Sequence, residues 1–210
     1  MYHIVYIQQD ILNYVEKNFN LDKFFTAYRM KYNSIRSGTK REAEMRWLLE
    51  RLFNLEIFSN HPLTLPFIAY IIATVKYETK GTYLPRREYI KDPKEGLPAV
   101  FARKDIITRQ QYYKRGYIPF RWKYNYAQFS KWLKIDLLNN PDQALDKDIA
   151  FKILVLGMYY GLFTSNCLAD YITEKVIDFK SARRVIHYKP IQQVEDDAKF
   201  ILSCLKKGYS

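Results

Sequence analysis

The chain has 210 residues, a formal net charge of +12 and 17% aromatic side chains. This length supports one sizeable hydrophobic core and does not require two independent domains. Two cysteines and three histidines without metal-ligand spacing argue against a metal site, and nothing in the chain indicates a cofactor or Ser-His chemistry. The excess of positive charge instead indicates an anionic partner, such as nucleic acid, a membrane surface or a bacterial wall.

Residues 1–20 have apolar side chains at helix-like spacing, which predicts an N-terminal extension helix. Either this helix packs on the body of the protein or it serves as an adaptor to a partner. The same stretch lacks the basic start, apolar core and small-residue cleavage site of a signal peptide. We therefore expect cytoplasmic synthesis, with residues 21–210 forming one domain.

Helical periodicity recurs on both sides of one interrupted stretch. The stretch from 79 to 111 is broken by glycine and proline and is interpreted as a long loop or small β lobe. The predicted fold is mainly α: a helical bundle with a small β or loop lobe flanking a substrate cleft. The predicted helices span 22–33, 40–53, 65–78, 124–138, 146–163, 168–177, 180–186 and 191–207.

The uncharged span from 57 to 75 approaches the length of a membrane helix. Prolines and other polar residues break its first half, so we expect no transmembrane helix. Its apolar second half predicts a buried helix that ends at Glu78.

The stretch from 101 to 134 concentrates the positive charge, with nine basic residues against the single acid Asp105 and ten aromatic residues among them. Such a pattern suits nucleic-acid binding, where bases stack on rings and phosphates meet arginine and lysine. It equally suits a polysaccharide site, where rings stack on sugar faces. Composition does not separate these two interpretations.

Glu78 and Glu88 lie ten residues apart, one at the end of the apolar run and the other after a short loop. Two carboxylates that flank a sugar linkage are the minimum equipment of most glycosidases. Alternatively, the two glutamates are solvated charges on the protein surface and have no catalytic role. Spacing alone therefore leaves both interpretations open.

The segment around both glutamates reads ATVKYETKGTYLPRRE. It resembles the pattern A-T-V-x-H-E-T-x-G-T-F-x-P-I-x-E of phage and bacterial cell-wall hydrolases of the glycoside hydrolase family 19 type. Five further blocks follow the family's order over about residues 20 to 207: FFTAYR, YYKRGY, WKYNY, IDLLNNPDQAL and DFKSARRVI. The resemblance implies a lysozyme-like glycoside hydrolase domain over residues 21–210.

The resemblance also implies roles for individual residues. Glu78 would be the general acid and Glu88 the base that activates water, with carboxyl groups roughly 6.5 to 9.5 Å apart if the reaction inverts the anomeric carbon. Arg115 alternatively pairs with a buried acid, and Asn125 alternatively caps a helix. The implied substrate-binding residues are Arg115, Tyr117, Trp122, Asn125, Arg121 and Arg184.

Three departures from the family pattern fall in the loop that lines the family's site. Lys114 replaces a glycine, Pro119 replaces a glutamine and Arg121 replaces a threonine. Proline has no N–H to donate, and a guanidinium cannot accept a proton. Two hypotheses follow, because these changes bear directly on catalysis.

The first hypothesis is a peptidoglycan hydrolase of the endolysin type that cleaves β-1,4 linkages between amino sugars. The alternative is a catalytically impaired relative that binds the cell wall or builds a virion, with residues 1–20 as the contact to a virion partner. Both place the protein at the bacterial wall, in host lysis or on a virion. Both take peptidoglycan or a related amino-sugar polymer as partner, and the resemblance disfavours nucleic acid.

Overall fold

The computed structural model describes residues 19–33, 35–55, 63–88, 103–118, 120–187 and 189–209. Most of the predicted extension helix, residues 89–102 of the predicted loop or β lobe, Pro119 and Tyr188 lie outside these ranges. The chain divides into two compact units. The described residues of Met1–Tyr77 and Ile191–Ser210 form the first unit, and those of Glu78–Pro190 form the second.

Helices dominate the described residues, and the mainly α class predicted from the sequence is confirmed. The α-helices are α1 (Leu21–Arg29), α2 (Lys40–Phe53), α3 (Leu65–Glu78), α4 (Lys123–Leu133), α5 (Lys147–Tyr159) and α6 (Gln192–Lys207). The strands are β1 (Arg86–Arg87) and β2 (Arg115–Gly116), and single turns of 3₁₀ helix span Pro141–Leu145, Leu168–Asp170 and Ser181–Val185.

Side-chain caps fix the starts of the first two helices. The Asn20 side chain accepts the Lys23 N–H ahead of α1, and the Thr39 side chain accepts the Glu42 N–H ahead of α2. Each cap satisfies a backbone donor that has no partner within the first turn. In the first unit, α1 packs against α6, and the Tyr28 ring of α1 lies 6.1 Å from the Phe200 ring of α6.

Helix α3 is buried on every side, as its uninterrupted apolar sequence predicts. Each residue from Phe67 to Val75 is buried, and a helix that is hydrophobic all round belongs to a core. No helix among the described residues has the length and hydropathy that crossing a membrane requires. The helix ends at Glu78, which is the first residue of the second unit.

In the second unit, β1 and β2 pair antiparallel, with Arg86 opposite Gly116 and Arg87 opposite Arg115. This two-stranded sheet is the small β lobe that the sequence predicts, although β2 lies just beyond the predicted segment. The core of the unit contains Tyr112, Phe120, Tyr126, Phe129, Leu137, Ala144, Ile153 and Leu156.

Several predicted helices are wrong in extent: those predicted over 22–33 and 146–163 end at Arg29 and Tyr159, and that predicted over 180–186 is the 3₁₀ turn Ser181–Val185. The predicted helix from 168 to 177 is only the 3₁₀ turn Leu168–Asp170, followed by a bridge between Ile172 and Ile177. The Thr173 hydroxyl accepts the N–H groups of Lys175 and Val176 and closes a turn. Threonine and its β-branched neighbours favour this geometry over a helix. The predicted helix from 124 to 138 ends at Leu133, because Lys134 adopts a left-handed conformation with φ of 55°.

Candidate active site

Glu78 lies at the C-terminal end of α3, with only 13% of its side chain exposed. Its Oε1 accepts a hydrogen bond of 2.5 Å from Nη2 of Arg183, whose side chain is 6% exposed. Within the described residues, Oε2 of Glu78 accepts no hydrogen bond. One carboxylate oxygen is thus anchored, and the other remains available to a reacting group.

The turn after Glu78 is tight and well fixed. Lys80, Gly81 and Tyr83 all have positive φ, at 54°, 72° and 57°. Thr79 is fully buried, and its hydroxyl oxygen accepts the N–H of Tyr83, whose ring is also fully buried. Two non-glycine residues in the left-handed region within four positions are costly, and such strain clusters at functional sites. The chain therefore holds Glu78 in one defined position.

Glu88 directly follows β1 and is held by the loop that leads into β2. Its backbone N–H donates to the carbonyl of Lys114 at 2.9 Å, and its Oε2 accepts the backbone N–H of Lys114 at 3.1 Å. Its Oε1 accepts a 2.6 Å hydrogen bond from Nη2 of Arg121. Both oxygens of this carboxylate are therefore oriented by the protein.

Opposing electrostatic effects act on the ammonium group of Lys114. Burial lowers the pKa of its ammonium group, and the charges of Arg121 and Arg183 lower it further, whereas Glu78 and Glu88 act in the opposite direction. All four charged groups therefore act on the same ammonium. We refer to these five residues as the charge cluster: Glu78, Glu88, Lys114, Arg121 and Arg183.

The contacts of both glutamates singled out from the sequence are thus defined, and their joint action at one site stays a prediction. The two carboxylates differ in environment, since Glu78 is nearly buried and anchored through one oxygen, whereas Glu88 is 20% exposed and anchored through both. Paired carboxylates in unlike surroundings are the arrangement that acid and base roles require.

Arg115 has the contacts of a structural residue. Its Nε donates to Asp142 Oδ1 at 2.6 Å, and Nη1 donates to the Tyr126 hydroxyl at 3.0 Å and to the Gln111 carbonyl at 2.9 Å. The guanidinium lies 3.7 Å from the centre of the Tyr113 ring, as expected of a cation–π contact. Arg115 does pair with an acid, but the Asp142 side chain is 57% exposed and not the buried acid of the alternative stated above. Substrate binding by Arg115 stays a prediction.

Asn125 likewise has a local role, because its Nδ2 donates to the Arg121 carbonyl at 2.6 Å at the start of α4. Tyr117 is buried, at 1% exposure. Trp122 is 51% exposed and has φ of 73°, and Arg184 is exposed on the 3₁₀ turn beside Arg183. Substrate contacts by Asn125, Tyr117, Trp122 and Arg184 stay predictions.

Sequence reasoning left two members of the charge cluster outside the predicted site. The sequence marks Lys114 only as a departure from the family pattern, and Arg183 is not among the residues that the resemblance assigns to the substrate. Its position between the apolar residues Ala182 and Val185 is the feature of the sequence that could have indicated a buried Arg183. All three are buried on one 3₁₀ turn. The partner of Arg183, Glu78, lies 105 residues earlier in the chain, and no local sequence pattern indicates this pairing.

No group of three histidine, cysteine, aspartate or glutamate side chains in the described parts of the chain is placed to hold a metal ion. The chemistry that the site offers is that of carboxylates and cations.

Parts of the sequence are similar to those of known proteins. No protein-family model matches the sequence. It is 49% identical over 65 residues to an inactive chitinase-like protein 1 of Hevea brasiliensis, covering 30% of this chain and 21% of that protein. It is 52% identical over 44 residues to endochitinase A2 of Pisum sativum, covering 20% and 14% of the two chains.

A basic endochitinase of Vitis vinifera is 32% identical over 98 residues, covering 40% of this chain and 31% of that protein. The sequence is similar to chitinases. It spans less than a third of the length of each of these plant proteins. A bacterial family 19 chitinase of known structure aligns with a TM-score of 0.44 and 17% identity, over 86% of this chain and 93% of that one.

Proposed function

We propose that this protein is a glycoside hydrolase that acts on an amino-sugar polymer, with Glu78 as the proton donor and Glu88 as the base. The observation that carries the proposal is that the protein orients both carboxylates, Glu78 through Arg183 and Glu88 through Arg121 and the Lys114 N–H. Similarity to proteins named as chitinases supports the same class of substrate.

In the proposed reaction, the Glu78 carboxyl group transfers its proton to the leaving glycosidic oxygen as the bond from that oxygen to the anomeric carbon breaks. Glu88 takes a proton from a water molecule, whose oxygen forms the new bond to the anomeric carbon. Arg183 fixes one oxygen of Glu78, and Arg121 together with the Lys114 N–H fixes both oxygens of Glu88. The protein's contribution is then the position of the two carboxylates.

We further propose peptidoglycan as the polymer and the bacterial wall as the place of action, in host lysis or on a virion. The net charge of +12 and the basic, aromatic stretch from 101 to 134 complement an anionic wall. Binding to insoluble wall material is expected to weaken with salt, because charges that attract across water are screened over about 10 Å at 0.1 M ionic strength.

A second candidate is a catalytically impaired relative that binds wall glycan. Two observations favour it: both glutamates are engaged by arginines, and one of the similar plant proteins is named as inactive. An arginine in place of the family's threonine also removes a hydroxyl group from beside Glu88.

One experiment separates the candidates. The protein is incubated with purified peptidoglycan and with chitin, and new reducing ends are counted while binding to each polymer is measured by co-sedimentation. The proposed hydrolase generates reducing ends from at least one polymer. Salt-sensitive binding without any new reducing ends would establish the second candidate instead.

A further inference from the structure

The turn from 105 to 110 presents two large apolar side chains to solvent. Ile106 is 82% exposed and Ile107 is 83% exposed, the highest values for large apolar side chains in the part of the chain that the structure describes. Single exposed apolar residues are common, but two adjacent isoleucines leave most of their combined apolar area in water. We refer to this pair as the apolar tip. It has no part in the proposed hydrolysis.

Hydrogen bonds hold the apolar tip in place. Oδ1 of Asp105 accepts the N–H groups of Ile107 and Thr108 at 3.1 and 2.9 Å. The Asp105 N–H donates to the Gln110 carbonyl at 2.8 Å and closes the turn. The Thr108 hydroxyl lies 2.6 Å from the hydroxyl of Tyr112, which belongs to the core of the second unit. The turn is therefore ordered before any partner binds, which reduces the entropic cost of binding.

Basic side chains flank the apolar tip. Arg103 and Lys104 precede it, Arg109 follows it, and all three are exposed. We refer to these three residues as the basic collar. Asp105, the only acid between residues 103 and 123, is paired with Lys123 through both carboxylate oxygens, at 2.9 and 3.0 Å. No acid of this segment therefore offsets the charge of the collar.

The apolar tip and the basic collar together select one kind of anionic partner. Two isoleucines gain stability only where they leave water, and neither a nucleic-acid backbone nor a glycan strand offers a hydrocarbon phase to receive them. A second copy that used the same face would bring its own collar against this one, and like charges at an interface are unfavourable. An anionic phospholipid surface offers acyl chains to the tip and negative headgroups to the collar.

We propose that the turn from 103 to 110 is a peripheral membrane-docking site. The apolar tip enters the interface of an anionic phospholipid bilayer, and the basic collar binds the headgroups around it. The inference goes beyond the proposed hydrolysis and does not depend on it, because none of these residues belongs to the charge cluster.

The test measures binding to two kinds of vesicle by co-sedimentation over a range of lipid concentrations. One kind contains phosphatidylcholine and phosphatidylglycerol in equal parts, and the other contains phosphatidylcholine alone. The tip variant, Ile106→Ser with Ile107→Ser, removes apolar area without changing the net charge. The collar variant, Arg103→Gln with Lys104→Gln, removes two positive charges and leaves the tip.

Val176→Ser with Ile177→Ser is the matched control. These adjacent side chains are also apolar and exposed, at 57% and 48%. They lie in a segment whose acids, Glu174 and Asp178, balance the nearby Lys175 and Lys180, so this pair has no basic collar. Urea unfolding of every variant establishes that the fold is retained.

The wild type is expected to bind the mixed vesicles at least about 10-fold more tightly than those of phosphatidylcholine, because each basic residue near an anionic surface contributes about a fivefold factor. The tip variant is expected to bind the mixed vesicles about 10-fold or more weakly than the wild type, since two isoleucines no longer enter hydrocarbon. The collar variant should also bind them about 10-fold or more weakly. The control is expected to stay within about 2-fold of the wild type, because it leaves the tip and the collar unchanged.

Equal binding of the tip variant and the wild type would overturn the inference, since general attraction of a chain with net charge +12 would then explain the binding. An equal loss in the control, or no binding of the wild type to mixed vesicles, would overturn it too. Self-association of the wild type that the tip variant lacks, measured by analytical ultracentrifugation, would instead assign the tip to a second copy. Hydrolysis of a soluble amino-sugar oligomer is expected at the wild-type rate in the tip variant, so that failure of either proposal leaves the other standing.

Discussion

Arg183 donates a 2.5 Å hydrogen bond to Glu78 at the C-terminal end of α3. This end of a helix carries partial negative charge, so a carboxylate there is electrostatically unfavourable. The guanidinium offsets that cost where water cannot, because both side chains are largely buried. The position of Glu78 in the proposed site therefore depends on a residue from a distant part of the chain.

Replacing Arg183 tests this dependence. Arg183→Leu is expected to lower the free energy of unfolding by about 3 kcal/mol or more, because removing one member of a buried ion pair leaves the other charge uncompensated. Arg184→Leu is the matched control: its side chain is exposed, and we expect a change within about 0.5 kcal/mol. Urea unfolding of both variants measures the difference, and equal values would show that the pair does not stabilise the fold.

Arg121→Thr tests the geometry at Glu88. We expect slower hydrolysis, because Oε1 of Glu88 loses the donor that orients it. Among the described residues, the N–H of Lys114 then remains as the anchor of Glu88, through the other oxygen. Rates on purified peptidoglycan are compared with the wild type at saturating substrate. A faster variant would mean that the guanidinium obstructs the base, and would favour the impaired relative.

The parts of the fold and of the site that could be predicted from the sequence are those that depend on residues close together in the chain. The apolar run before Glu78 indicates a buried helix without any tertiary information. The left-handed Lys134 that ends α4 and the threonine-centred turn at Thr173 were not foreseen, because helical periodicity continues past both. The pairing of Arg183 with Glu78 depends on the folding of residues far apart in sequence, and one sequence contains no record of such contacts.

Gly157 is predicted to tolerate no side chain. A Cβ atom at this position would lie 1.9 Å from the Phe163 ring, so Gly157→Ala is expected to lower the free energy of unfolding by about 1 to 3 kcal/mol through overpacking. The double variant with Phe163→Leu supplies the control, since a smaller side chain makes room. Additive losses in this double-mutant cycle would contradict the proposed contact.

Asp105 is expected to make stability depend on pH in the acid range. The Thr108 N–H, then the Lys123 ammonium, hold the pKa of Asp105 at about 2, below its ordinary value of 3.8. A carboxyl whose pKa is lowered by folding stabilises the native state above its unfolded value, and the contribution is lost as pH falls through the folded value. The difference in unfolding free energy between wild type and Asp105→Asn should therefore be present at pH 6 and shrink towards about pH 2. A difference that does not change with pH would contradict this assignment.

The most direct test of the central claim is the turnover of Glu78→Gln on the polymer that the wild type cleaves best. The amide keeps the size of the side chain and an acceptor for Arg183, but it cannot deliver a proton to the leaving oxygen. We predict that turnover falls by at least about 10² while co-sedimentation with the polymer is unchanged. Turnover equal to that of the wild type would contradict the assignment of Glu78 as the acid and the proposed mechanism with it.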